Sequence, residues 1–414
     1  MNRKHLKINY NNLFRGLCVI FAILMSKTYY FGIQYRSTYQ FVFWALCALS
    51  FFIVRKNLRS STMICSFTMI ALLIFNLLIF FPDMETNQIN TVLGHVLTII
   101  SVSVLVGIID SKTFSYLYIK IIGLFCLISI PCFIVAISNP ELARQFCQPG
   151  YQWPDPAGYS PYYLWGINGM IHVRNSGPFW EPGAFQGFIN LGILLLLYNV
   201  DDNLIKHRLR YFILFVVTLL TTQSATGYLI LILIFLFQKK YIENELFGEK
   251  HKSIFRFLIG LILLVVVLYV LASNVITNKI AYTAGQFETV SASMRFNDIK
   301  GGISLILKGN IFGLGETPYR DAVKLQFGVN KDDSVGLMAM AYTYGIGFFC
   351  VYFISMLYGI KNLFKLNKYR DLLLLLMVFF ILHMTEGLWF LPVYLYITLF
   401  RKDKLKSIGQ QSRR

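Results

Sequence analysis

In the stretch RNSGPFWEPGAFQGF, residues 174–188, an Arg and a Glu flank a run of aromatic, Pro and Gly residues. A guanidinium grips phosphate oxygens through paired N–H donors. A carboxylate within reach of a hydroxyl can take its proton as a bond forms. Glu181-Pro182-Gly183 reads as a helix start, with the acid at the cap and Pro at the first helical position, where a missing amide costs nothing. Arg174 stands just upstream, within reach of that helix mouth. Two readings fit: an ion pair with a capping device at a membrane interface, or a place to hold an anionic head group.

The same chemistry recurs further along. SASMRFNDIKGG (291–302) holds Arg295 and Asp298, and IFGLGETPYRDA (311–322) holds Gly313, Gly315 and Arg320. NKDDSVG (330–336) places Asp332 and Asp333 directly before an apolar run. Arg174, Arg295 and Arg320 are the candidate phosphate ligands, Arg320 in reserve. Glu181 and then Asp333 are the candidate bases, and Trp180 and Trp165 stand among the aromatic residues beside them. Glu386 stands at the tip of a late apolar pair. Walker, GxGxxG and HExxH patterns are absent, as is Cys/His metal spacing, so neither a metal nor a cofactor is expected. Energy for any synthesis must then arrive with the substrate, as in a lipid-linked diphosphate.

The elements that must position these residues are apolar. The chain is 56% hydrophobic and 16% aromatic, with a mean hydropathy of +0.58. Runs at about 13–33, 39–54, 61–81, 89–109, 116–137, 181–200, 257–274 and 336–358 read as membrane spans. Two longer runs, 211–237 and 371–400, are interrupted by TTQSATG and HMTEGLW. The formal charge of +18 is not a nucleic-acid signal, because it collects in clusters such as Arg55–Arg59, Lys206–Arg210, Lys239–Arg256 and Lys361–Arg370. Both interrupted runs have basic segments on both sides. Each should therefore go out and return as two short helices. The expectation is a single all-α transmembrane domain over 1–414, with about twelve spans and both termini cytoplasmic. Two large outer loops follow, 138–180 and 275–335; the first is too aromatic for a solvated linker and should pack on the membrane face. Most Cys lie in spans, and Cys147, in the first loop, has no evident partner.

RNSGPFWEPG, LLTTQSATGYLILILI, IFGLGE and DDSVGLMAMAYTYGIGFF resemble segments of bacterial O-antigen polymerases of the Wzy type and, more distantly, O-antigen ligases. The resemblance is one of motif order over most of 90–400. It implies a metal-independent, membrane-helical, GT-C-like glycosyltransferase that joins undecaprenyl-diphosphate-linked oligosaccharides on the outer face of the inner membrane. It implies essential Arg residues in the two large loops, carried here by Arg174 and by Arg295 or Arg320. It also implies membrane lipid and a chain-length regulator as partners, and no nucleic acid. Two departures stand out. The family often has Ser-Arg at the break of the short hairpin, where this chain has Ser224-Ala225. Ligases usually carry His before the span where Asp332-Asp333-Ser334 stands, which favours polymerase over ligase. A flippase for lipid-linked oligosaccharides is the rival from another class; it should line the bilayer midplane with charge and show two related halves.

Overall fold

The computed structural model describes residues 10–54, 58–83, 86–139, 142, 160–162, 165–168, 174–201, 203–248, parts of 251–264, 299–307, 311–315 and 336–401. Arg295, Arg320, Asp333, Cys147 and most of the expected 257–274 span lie outside the described residues.

The helices are α1 (Tyr10–Leu24), α2 (Arg36–Val54), α3 (Ser60–Phe80), α4 (Thr86–Ile108), α5 (Ser111–Ser138), α6 (Pro182–Tyr198), α7 (Arg208–Thr221), α8 (Ala225–Tyr241), α9 (Gly336–Leu363), α10 (Tyr369–Thr385) and α11 (Pro392–Leu399). Among the described residues, six helical segments are long and apolar enough to cross a membrane: α2, α3, α4, α5, α8 with its continuation to Phe247, and α9. Their outward side chains are apolar, with Phe67 74% and Phe52 71% exposed, as suits a surface solvated by lipid rather than water. The protein is thus a helical, membrane-embedded one.

Lipid tails give helices no hydrophobic reason to associate, so packing and buried polar bonds must hold them. Ser66 and Ser103 join α3 to α4 at 2.6 Å, and Cys18 and Ser50 join α1 to α2 at 3.1 Å. Gln40 and Trp44 of α2 both donate to Thr98 of α4. Such bonds average about 0.6 kcal/mol each.

Side-chain contacts sort the chain turns into two ends. At one, Arg59 donates to the Arg401 carbonyl, Tyr396 to the Ile109 carbonyl, and Asn199 to Ser115. The basic clusters share this end. At the other, Thr28 pairs with Phe179, Asn175 donates to Ser129 and Thr221, and Val393 N–H donates to Ser26. Residues 174–180 and the breaks after α7 and α10 share that one.

The interrupted run 211–237 is a helical hairpin. Tyr228 donates to the Leu220 carbonyl beside the break, Phe212 meets Phe235 midway, and Arg208 donates to the Tyr241 hydroxyl at the open end. That ladder is antiparallel, so α7 and α8 go out and return. In the second run, α10 starts at the basic end, where Gln238 donates to Asp371. It ends at Glu386, and α11 comes back to place the Leu399 carbonyl on Thr62.

One expectation is corrected. The run 13–33 is not one helix, because α1 stops at Leu24. Ser26 and Thr28 turn their hydroxyls back onto the carbonyls of Ala22 and Leu24, competing with the helix ladder. Lys27 between them takes a left-handed backbone (φ 62°), and a short π-helical turn at Tyr29–Gln34 leads into α2. The all-α class stands, and one loop adds a small sheet to it. The first large loop contains an antiparallel sheet in the order β1 (Ser160–Tyr162), β2 (Trp165–Asn168), β3 (Arg174–Gly177). Ser160 pairs with Ile167 and Asn168 with Arg174, with a bulge between Gly166 and Ile167. Asn175, Ser176 and Gly177 of β3 are buried, which docks the sheet on the helices.

Candidate functional site

The end that carries the sheet gathers the candidate residues that the structure describes. Glu181 is the N-cap of α6 and Pro182 its first residue, as the Glu-Pro-Gly step requires. The Glu181 carboxylate makes no capping hydrogen bond, so it is not consumed by the helix it starts. A second carboxylate stands beside it. Glu386, the C-cap of α10, is only 7% exposed and lies against Gly183. A β-carbon at Gly183 would lie 3.5 Å from Glu386 Cδ and 3.8 Å from Glu181 Cδ, with Glu386 Oε1 closer still. A side chain at Gly183 would have to displace the Glu386 carboxylate. The expectation that Glu386 sits at a hairpin tip facing this end is met.

Beneath the two acids the interior is polar and incompletely bonded. Asn190 donates to Gln186 Oε1 at 2.9 Å, yet Gln186 Nε2, Asn190 Oδ1 and the Tyr394 hydroxyl are buried without a partner. Each such atom costs about 1–3 kcal/mol. Native proteins keep few of them.

Arg174 does not turn toward the mouth of α6. From β3 its Nε donates to the Thr222 carbonyl at 3.1 Å and its Nη2 to the Gln223 carbonyl at 3.0 Å. These carbonyls end α7, where the helix dipole is negative and a cation is favoured. Ser224 then caps α8 by accepting from Gly227 N–H. Arg174 thus closes the first hairpin break from outside, and part of its guanidinium remains for other partners. Trp180, half-buried, lies under the Lys27 ammonium, 4.4 Å from its ring centre. Trp165 occupies β2, opposite Tyr162.

Sequence reasoning overlooked a cavity of about 470 Å³ on the far side of Glu386. Lys27, Arg36 and Gln40 line it from the α1–α2 region, His95 from α4, and Gly387 and Trp389 from the α10–α11 connection. A β-carbon at Gly387 would stand 3.6 Å from both Lys27 Nζ and Trp389 Nε1. His95 stacks on Phe390 with ring centres 3.7 Å apart, which makes it part of the wall rather than a helix–helix bond. The carboxylates and the cavity are therefore neighbours across residues 386–387. The available signal was the pair of cations, Lys27 and Arg36, set in and just after an otherwise apolar run.

IFGLG also docks at this end. Leu314 N–H and Gly315 N–H donate to the carbonyls of Tyr342 and Thr343, and Asn76 donates to those of Phe312 and Thr343. The segment fits a break in α9, where Gly345 has φ 88°. Among the described residues no group of His, Cys, Asp and Glu could hold a metal ion.

No protein-family model matches this chain, and a search of curated proteins finds no match either. The function is then to be read from the chemistry of these side chains.

Proposed function

We propose that the protein is a membrane glycosyltransferase that joins polyprenyl-diphosphate-linked oligosaccharide units into a surface polysaccharide on the outer face of a bacterial inner membrane. The observation that carries this reading is the convergence of Glu181 and Glu386 on Gly183, beside a helix mouth. A diphosphate leaves as a stable anion, so its departure needs no general acid. The acceptor hydroxyl does gain from a base, by about 10²–10⁴-fold. Two adjacent carboxylates offer one landing place for that proton. Glu181 is the group that meets the acceptor, and Glu386 supports it from the buried side.

Further support comes from the resemblance. The Arg that related sequences carry inside the first hairpin break is Ala225 here, yet Arg174 reaches the same break in space. The polymerase reading stands ahead of the ligase because Asp332-Asp333 replaces the ligase His. The basic clusters face the cytoplasm under the positive-inside rule, with about twelve spans and both termini inside. Arg295, Arg320 and Asp333 complete the set from the second loop. The partners are the lipid-linked unit, membrane lipid and a chain-length regulator.

The test is polymer formation by the purified chain in nanodiscs supplied with synthetic lipid-linked repeat units. The expected result is a ladder from the native chain and a rate reduced about 10²-fold by Glu181→Gln. Native rates from both Glu181→Gln and Glu386→Gln would remove the carboxylates from the chemistry and leave Glu181 as a helix cap.

A further inference from the structure

We propose that Lys120, with Tyr116 and Tyr211, holds the head group of an anionic phospholipid in the membrane leaflet at the basic end. The first observation is depth. Helix α5 has 28 residues, whereas a hydrocarbon core of about 30 Å needs about 20. Lys120 is the tenth residue of that helix, counted from Ser111. Even with the whole surplus of about eight residues placed at the start, Lys120 falls inside the core. It is exposed, and it opens a stripe of exposed residues that continues through Leu124, Leu127, Pro131 and Ile134. Spacings of three and four put these residues on one face, which meets lipid. Any apolar residue would serve there, yet the chain carries an ammonium. An ionisable residue at such a depth is costly to keep and points to function.

The second observation is what surrounds the charge. Helical side chains lean toward the N-terminus, and α5 begins at the basic end, where Asn199 donates to Ser115. The lysine stem therefore runs toward the nearer membrane surface. The ammonium lies 5.8 Å from the Tyr116 ring centre and 5.1 Å from that of Tyr211 in α7. Gly123 allows the second contact, because a β-carbon there would stand 2.7 Å from Tyr211 Cε1. The rings attract the cation and leave its charge in place. The acids near this end are engaged elsewhere: Asp110 caps α5, and Asp201 meets Lys112 at 3.7 Å.

The third observation is the polarity on either side. Toward the midplane, Leu124 and Leu127 are 53% and 60% exposed and offer apolar surface. Toward the basic end, Lys206 and Arg210 are exposed, Arg210 directly before Tyr211. A phosphate at Lys120 thus has further cations on its watery side and leucines along its tails. That order suits an anionic amphiphile, and a soluble anion does not enter the core. The inference is independent of the glycosyl-transfer reading, since it concerns the end away from Glu181.

The experiment is native mass spectrometry of the full chain, released from micelles that hold equal amounts of phosphatidylglycerol and phosphatidylcholine with the same acyl chains. Phosphatidylglycerol is expected to be retained in preference. Lys120→Met extends the lipid-facing stripe, so the fold should hold, and it should reduce the preference about fivefold, the effect of one cation beside anionic lipid. Lys120→Arg should keep most of it. Lys240→Met removes an exposed cation from the last turn of α8, at the same end, and should leave the preference near native. Native preference in Lys120→Met overturns the site. Equal losses in Lys120→Met and Lys240→Met overturn it in favour of diffuse attraction. Equal retention of the two lipids by the native chain overturns the anionic head group.

Discussion

The two ends of the bundle settle their charged groups in opposite ways. At the basic end, described charges are matched locally. Asp110 caps α5, Lys112 meets Asp201 at 3.7 Å, and Arg208 donates to the Leu196 carbonyl and the Tyr241 hydroxyl. The α4–α5 connection is short: only Ile109 and Asp110 separate the two helices. At the sheet end, two carboxylates crowd one glycine and two cations line one cavity. A membrane protein has every physical reason to avoid the second arrangement. Among the described residues, the two acids on one glycine stand at the sheet end, where the candidate chemistry lies.

The largest effect is expected where the sheet end depends on a single backbone conformation. Gly345 interrupts α9 at φ 88°, and a β-carbon there would lie 2.6 Å from the Gly313 amide nitrogen and nearer still to the Ile311 carbonyl. Gly345→Ala should cost about 3 kcal/mol, from strain and from loss of the docked IFGLG segment. A thermal-unfolding scan in detergent should show a clearly lower midpoint. Little change would mean that α9 can straighten, and that the sheet end is no more constrained than the other.

A middle-sized effect sharpens the comparison, because Arg174 belongs to both categories. Its Nε and Nη2 hold the end of α7, which is a structural duty, yet it stands at the chemical end. Arg174→Lys keeps the charge but cannot serve both carbonyls in the same geometry. The expected cost is about 1–2 kcal/mol of stability, the range for a hydrogen bond from a charged group. Polymer yield should drop strongly while the amount of protein in the membrane holds. Native polymer and native stability together would leave the hairpin break closed by Ser224 alone.

What could be read from the sequence follows the same division. Charge parity along the chain placed the break of 211–237 opposite the basic end, and the α7–α8 ladder has that sense. The Glu-Pro-Gly step predicted its own helix start. These are local or one-dimensional signals. The cavity was hidden because its walls come from segments near residues 27, 95 and 389, and nothing in their spacing links them. The sheet was hidden because its strands are three or four residues long, too short for an alternating pattern to register. Arg174 was assigned to the nearest helix mouth in sequence, whereas β3 points it at a helix end that is near only in space.

The smallest effect belongs to the basic end, where Asp110 shows how locally such a charge is settled. It is exposed, and it begins α5 by accepting from the amides of Lys112 and Thr113 at 3.0 Å and from the Thr113 hydroxyl at 2.8 Å. Partial loss of hydration at the helix end pushes its pKa up, but these bonds outweigh that and hold the carboxyl below its ordinary value. A carboxylate lowered on folding adds stability that is fully present above its unfolded value, near 3.9, and is lost as pH falls through the folded value. Asp110→Ala should therefore cost about 1 kcal/mol at neutral pH. The difference between variant and native chain should shrink below about pH 4. Polymer formation should be unchanged, since Asp110 lies at the end away from Glu181. Asp110→Asn retains an acceptor and should lose less than Asp110→Ala, with no such pH dependence. Unfolding midpoints measured from pH 3 to 7 check both. A loss of polymer in Asp110→Ala that exceeds its loss of folded protein would break the division between the ends, because a cap at the spanning end would then be reaching the chemistry.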